Sequence, residues 1–212
     1  PLIINGEEGK AASGRQFTRE NPADIRQVAT IAEQGTLEDA RAAIDAARAA
    51  FDSNVGNWIY NYKLREQALF RTARLIRDNA DRLARVVSLE VGMPMRQAVP
   101  HVAAAADIFD FYAGLGGKLY GESFTLPSGS VINLVKEPVG VVGMITPWNF
   151  PLTQTARKVP PPLAVGCTIV IKPASYTPPA TYELVKLIQH AGLPKGVLNL
   201  VPGPGNVVGS EM

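Results

Sequence analysis

Between Thr36 and Gly117 the apolar residues recur every three or four positions. Leu37, Ala40, Ile44, Ala47 and Phe51 fall on one face, which predicts a helix over 36–51. Thr36 followed by Asp39 supplies a capping-box-like start. The same spacing returns at Leu64, Ala68 and Leu75, and at Leu83, Val86 and Val87, with arginines between. It predicts helices over about 62–79 and 80–91, the latter stopped by Gly92 and Pro94. An alanine-rich stretch predicts a fourth helix over 97–115. The texture then turns β-rich at Phe124–Leu126, Val131–Lys136 and Val139–Val142, with Pro127-Ser128-Gly129 placed to turn a hairpin. Three apolar runs predict strands at Val139–Thr146, Thr168–Ile171 and Val197–Val201. Each leads through a loop into a helical stretch: about 152–165, about 178–191, and a third beginning near Gly205. This alternation predicts a parallel sheet with crossover helices, and the continuous apolar runs predict cover on both faces. Before Thr36 the chain carries turn signals at Asn5-Gly6, Ser13-Gly14 and Asn21-Pro22, and a short apolar run, Val28–Ala32.

Composition narrows the function classes. At 212 residues, 46% hydrophobic and 19% charged, the chain has ample material for a core and is not a disordered one. Twenty-one Lys and Arg against nineteen Asp and Glu leave +2, so no single-sign field favours a nucleic-acid or acidic-membrane partner. No apolar run has the length of a membrane span. The only cysteine, Cys167, excludes an internal disulfide framework and any multi-cysteine zinc site. It fits a reducing compartment, and a cytoplasmic location is expected. No cluster of His and acids has metal spacing, so no metal is expected. The chain opens on Pro1 with no signal-peptide pattern and stops at Met212, just after a glycine-rich turn.

In an open parallel sheet, ligands bind beyond the carboxyl ends of the strands. Three loops are therefore candidates: Thr146-Pro147-Trp148-Asn149-Phe150-Pro151, Lys172-Pro173-Ala174-Ser175, and Pro202 to Gly209. Together they offer an amide, an indole, an ammonium, a hydroxyl and flexible backbone, a set that suits a nucleotide. Each is ambiguous alone. Gly203, Gly205 and Gly209 form GxGxxxG, one residue longer than the dinucleotide fingerprint and after the third strand, so an ordinary strand-to-helix turn reads equally well. Asn149 by itself reads as a turn residue before Pro151, and Lys172 and Lys158 as solvated lysines. Trp148 reads as a channel wall or a core residue. His101 and His190 lie far apart, and no Gly-x-Ser-x-Gly segment supports a hydrolase triad. Cys167 sits at the start of a predicted strand, at the end away from these loops, where a buried thiol is inert.

Glu137-Pro138-Val139-Gly140-Val141-Val142-Gly143, Pro147-Trp148-Asn149-Phe150-Pro151, Lys172-Pro173-Ala174 and Gly192-Leu193-Pro194-Lys195-Gly196-Val197 resemble the aldehyde dehydrogenase superfamily, in order and with its spacing. Asn21-Pro22-Ala23 and the 36–51 helix extend the resemblance across most of the chain. It implies an α/β fold: a Rossmann-like parallel sheet with N-terminal helices and a β oligomerisation arm. The helical part would cover 1–119, the arm 120–138, and the first half of the NAD(P)-binding sheet 139–212, with the catalytic domain absent. By the same resemblance Asn149 helps form an oxyanion hole and Lys158 assists proton transfer near the reacting centre. The cofactor residues would be Ile145, Thr146, Pro147, Trp148, Asn149, Lys172, Ala174, Ser175, Gly205 and Gly209. Many NAD-dependent members carry Glu where this chain has Ser175. Without that charge to repel a 2′-phosphate, NADP is tolerated or preferred over NAD.

The activity implied for the complete protein is oxidation of a small-molecule aldehyde to a carboxylic acid through a cysteine thiohemiacetal and thioester, in a homodimer or homotetramer. The family's nucleophile, general-base glutamate and pyrophosphate loop would lie beyond Met212. Glu90 and Glu137 match structural segments, and the 212 residues alone are expected to be inactive. A non-catalytic nucleotide-binding or assembly module, and a coenzyme-A-acylating aldehyde dehydrogenase, are the alternatives.

Overall fold

The computed structural model describes residues 1–212. Helix α1, Leu37–Asp52, starts as its sequence predicts. The Thr36 hydroxyl accepts the Asp39 N–H at 3.2 Å, and the Asp39 carboxylate accepts the Thr36 N–H at 2.8 Å. The same carboxylate accepts the Ala12 N–H, which ties the N-terminal segment to the helix. Helices α2 (Tyr62–Asp78), α3 (Ala80–Val91) and α4 (Met95–Ala113) follow. Gly92 ends α3 in the left-handed conformation that a glycine adopts without steric cost. Helix α4 begins two residues earlier than its alanine run suggests, directly after Pro94.

Five strands make the main sheet. β1 (Leu2–Ile4) and β2 (Glu7–Gly9) form an N-terminal hairpin, and β7 (Val141–Ile145), β8 (Thr168–Lys172) and β9 (Leu198–Leu200) run parallel. The spatial order is β2-β1-β9-β8-β7, with β1 antiparallel to β9. That seat for β1 is not foreseeable from local pattern. Buried Asn199 creates it: its side-chain oxygen accepts the Asn5 N–H, and its amide donates to Ile169 O and Gly196 O. Two further hairpins stand apart from the sheet. One is β3 (Gln16–Asn21) with β4 (Asp24–Glu33), the latter much longer than its apolar run. The other is β5 (Glu122–Thr125) with β6 (Val131–Leu134), whose residues are almost all exposed.

Both faces of the sheet are covered, as the unbroken apolar strands require. Every residue of β8 is buried. Ile169 and Ile171 join the larger core with α2–α4 and the crossover helices, while Val170 packs with Leu2 and Val201 against Ala40, Ala43 and Ala47 of α1. The predicted 152–165 helix is two helices, α5 (Pro151–Lys158) and α6 (Pro160–Val165). Pro160, Pro161 and Pro162 have no N–H to continue the ladder, so the chain must restart there. Helix α7 spans Pro178–His190. The predicted helix near Gly205 is a π-type turn, Gly205–Gly209. No helix is long and apolar enough to cross a membrane.

Candidate functional site

The carboxyl ends of β7, β8 and β9 lie side by side, because Ile145 is in register with Lys172 and Ile171 with Leu200. The loops that follow are stitched together. Thr146 N–H donates to Lys172 O at 3.1 Å, and Val201 N–H to Ile171 O at 3.0 Å. Lys172 is only 3% exposed, yet no carboxylate pairs with it. Its ammonium donates to Pro173 O at 2.6 Å and Gly203 O at 3.0 Å. An ammonium has three N–H groups, so one remains for a ligand oxygen. Burial pulls its pKa below the ordinary lysine value. Ser175 Oγ donates to the same Gly203 carbonyl at 3.0 Å. Only glycine lets that carbonyl approach: a Cβ on Gly203 would lie 2.7 Å from Val208 Cγ2 and 2.9 Å from Gly35 O.

Ile145, Thr146, Lys172, Ala174 and Ser175 thus form one rim with Gly209, where a Cβ would sit 3.4 Å from Ile145 Cδ1. Gly205 is exposed at the outer end of the π turn. Pro147, Trp148 and Asn149 project from the first loop. Trp148 is 59% exposed, which removes the core reading. Asn149 is exposed and its amide has no hydrogen-bond partner in the chain. Lys158 stands apart, exposed on the last turn of α5, about 10 Å along that helix from Pro151. Cys167 is buried, its carbonyl accepting the Trp58 indole N–H at 3.1 Å. It lies at the opposite end of β8 from Lys172, about 16 Å away by strand rise.

Two neighbours of the rim carry no local sequence signal. Arg19, on β3, donates from Nε to Ser175 O at 2.9 Å, and its guanidinium stacks 5.0 Å from Phe17 and 5.2 Å from Tyr176. It thereby buttresses the Lys172–Ser175 loop across 156 residues of sequence. Beside it a cavity of about 640 Å³ is bounded by Trp148, Tyr176, Thr177 and Glu90. Glu90 Oε1 and Thr177 Oγ1 are buried there without a partner. Separately, α4 and α5 frame a groove of about 480 Å³ lined by Ala104, Asp107, Ile108, Phe111, Tyr112 and Arg157. Asp107 shares Arg77 with Asp110, each pair at 2.7 Å, whereas Arg157 has no carboxylate partner.

Comparison with known proteins places this geometry. The model of the aldehyde dehydrogenase family matches residues 10–212. The chain is 42% identical to a betaine aldehyde dehydrogenase of Bacillus subtilis (strain 168), over all of this chain and 43% of that protein. It is 37% identical to a succinate-semialdehyde dehydrogenase [NADP(+)] of Escherichia coli (strain K12), over 99% of this chain and 43% of that protein. The crystal structure of an NAD-dependent aldehyde dehydrogenase from Sinorhizobium meliloti superimposes with a TM-score of 0.95 at 35% identity, covering 99% of this chain and 42% of that one. The chain therefore spans less than half the length of these relatives, and across that span it belongs to the aldehyde dehydrogenase family.

Proposed function

We propose that the complete protein oxidises an aldehyde to a carboxylic acid with NADP or NAD as hydride acceptor, and that these residues supply half of the cofactor site and one oxyanion donor. The observation that carries the reading is the rim itself: Lys172 buried without a counter-ion, one N–H to spare, beside an exposed loop that presents the unpaired amide of Asn149. When bound, the nicotinamide cofactor supplies the hydride acceptor. Lys172 holds a ribose hydroxyl or the adjoining phosphate. Trp148, Pro147 and Ile145 offer apolar surface, and Ala174, Gly205 and Gly209 let the ligand lie close to the backbone. Ser175 places no negative charge at this point, which supports acceptance of a 2′-phosphate. Arg19 adds a cation behind the same loop.

Asn149 directs an amide N–H at the negative oxygen that develops when a nucleophile adds to the aldehyde. Lys158 is proposed for proton transfer by its resemblance to the family's lysine near the reacting centre; it stands exposed on the last turn of α5. The groove between α4 and α5 sets the substrate class. Its one cation is Arg157, which has no carboxylate partner of its own and favours an aldehyde whose far end is anionic, as in succinate semialdehyde, over a cationic one such as betaine aldehyde.

The test is an assay of the complete protein with succinate semialdehyde and each cofactor, following reduced nicotinamide. Turnover is expected with NADP at least as good as NAD. Asn149→Ala should lower kcat by about 10²–10³-fold. Strict preference for NAD overturns the Ser175 argument. Product that forms only with coenzyme A identifies the acylating alternative. Absence of turnover with any aldehyde leaves a binding or assembly module.

A further inference from the structure

Helix α5 opens without a cap of its own. Its N-cap residue, Phe150, has no polar side chain, and its first residue, Pro151, has no N–H. The amide that an N-cap side chain ordinarily holds is the third, here that of Thr153. It meets His101, a buried residue of α4. Thr153 N–H lies 3.4 Å from His101 Nε2, and Thr153 Oγ1 lies 3.3 Å from Nδ1. The imidazole also packs on Phe150, with ring centroids 5.6 Å apart and planes tilted by 42°.

One protonation state makes both polar contacts. Nε2 must keep its lone pair to accept the amide, so the proton sits on Nδ1 and is donated to Thr153 Oγ1. An imidazolium would leave the Thr153 N–H without an acceptor and set a positive charge at the positive end of a helix. Burial, and then the charge of Arg157 on α5, both hold the His101 pKa below its ordinary value.

We infer that His101 is a positioning residue for Asn149: as the neutral Nδ1–H tautomer it caps α5 from α4, pins Phe150, and so aims the amide one residue further back. The inference rests on the reading of Asn149 as oxyanion donor. A reacting group displaced by about 1 Å loses rate rather than affinity, so the effect belongs in kcat.

In the complete enzyme, His101→Leu is expected to lower kcat about tenfold while cofactor affinity stays within about twofold. Combined with Asn149→Ala it should cost nothing more, since it acts through that residue. His101→Gln can accept and donate at the same two atoms and should restore most of kcat. Side-chain nitrogen spectra of the complete protein should show the Nδ1–H tautomer, and His101→Leu should speed hydrogen exchange at the Thr153 amide. An Nε2–H tautomer, or losses from His101→Leu and Asn149→Ala that multiply, overturns the inference. A silent Asn149→Ala overturns the oxyanion reading and the inference with it. A large loss from Asn149→Ala beside a silent His101→Leu overturns the inference alone.

Discussion

The ammonium of Lys172 is buried in the company of two carbonyls and no carboxylate. Desolvating a charge without a counter-ion is costly, so this residue works against stability while it prepares a contact. Lys172→Met keeps the stem volume and removes the charge. It should leave the chemical-denaturation midpoint unchanged or raised, and weaken dinucleotide binding by the complete protein at least about tenfold, one charge-assisted hydrogen bond. Unaltered affinity in a titration would remove Lys172 from the site. Arg157 is tested differently. Arg157→Ala should raise KM about 10–100-fold for an aldehyde bearing a carboxylate, and change it little for a neutral aldehyde of the same length. Equal effects on both substrates would mean the arginine does not read charge.

Prolines open three helices in succession: Pro151 for α5, Pro160 for α6 and Pro178 for α7. Proline suits the first turn but leaves the remaining amides to be capped by something else. For α7 the cap comes from α3. Glu90 Oε2 accepts the Ala180 N–H at 3.2 Å, the first one available after Pro178 and Pro179. Burial raises the Glu90 pKa to about 8, against the opposing pull of that hydrogen bond. Because the folded protein holds this proton more tightly than the unfolded chain does, stability falls as pH rises from about 4.5 to about 8. The slope approaches about 1.4 kcal/mol per pH unit at most. Glu90→Gln keeps an oxygen for Ala180 and lacks the titration. Urea midpoints at pH 5, 7 and 9 should therefore diverge, with the variant the more stable at pH 9. Parallel pH profiles would show that Glu90 is ionised in the native protein at ordinary cost.

At the scale of the whole molecule, the β5–β6 hairpin is the part least explained by the chain itself. Phe124, Leu126, Val131 and Leu134 are exposed on it, and a two-stranded hairpin gains little stability by itself in water. A second subunit is the cover that this surface is expected to need. Replacing residues 122–134 of the complete protein by a short glycine-serine linker should leave a folded monomer by light scattering. A particle mass unchanged apart from the deletion would show that the hairpin makes no contact between copies.

Much was legible in the residues themselves. Thr36 with Asp39, Gly92, and the apolar runs at 139–146, 168–171 and 197–201 carry their structural instruction locally, through capping, positive φ and burial on both faces. Those runs also pointed to the candidate rim, because ligands in such sheets lie beyond the strand ends. Other features depend on contacts that no local period encodes. Asn199 seats β1 in the sheet from 194 residues away, Arg19 braces Ser175 across 156, and His101 and Glu90 cap helices they do not belong to. A buried polar group must find its partner wherever the fold brings one. The helix starts, the parallel strands and the candidate loops were therefore legible in the sequence read locally, whereas the seat of β1 in the sheet, and which side chain completes each helix end and each carbonyl, were decided only when distant segments met in the tertiary structure.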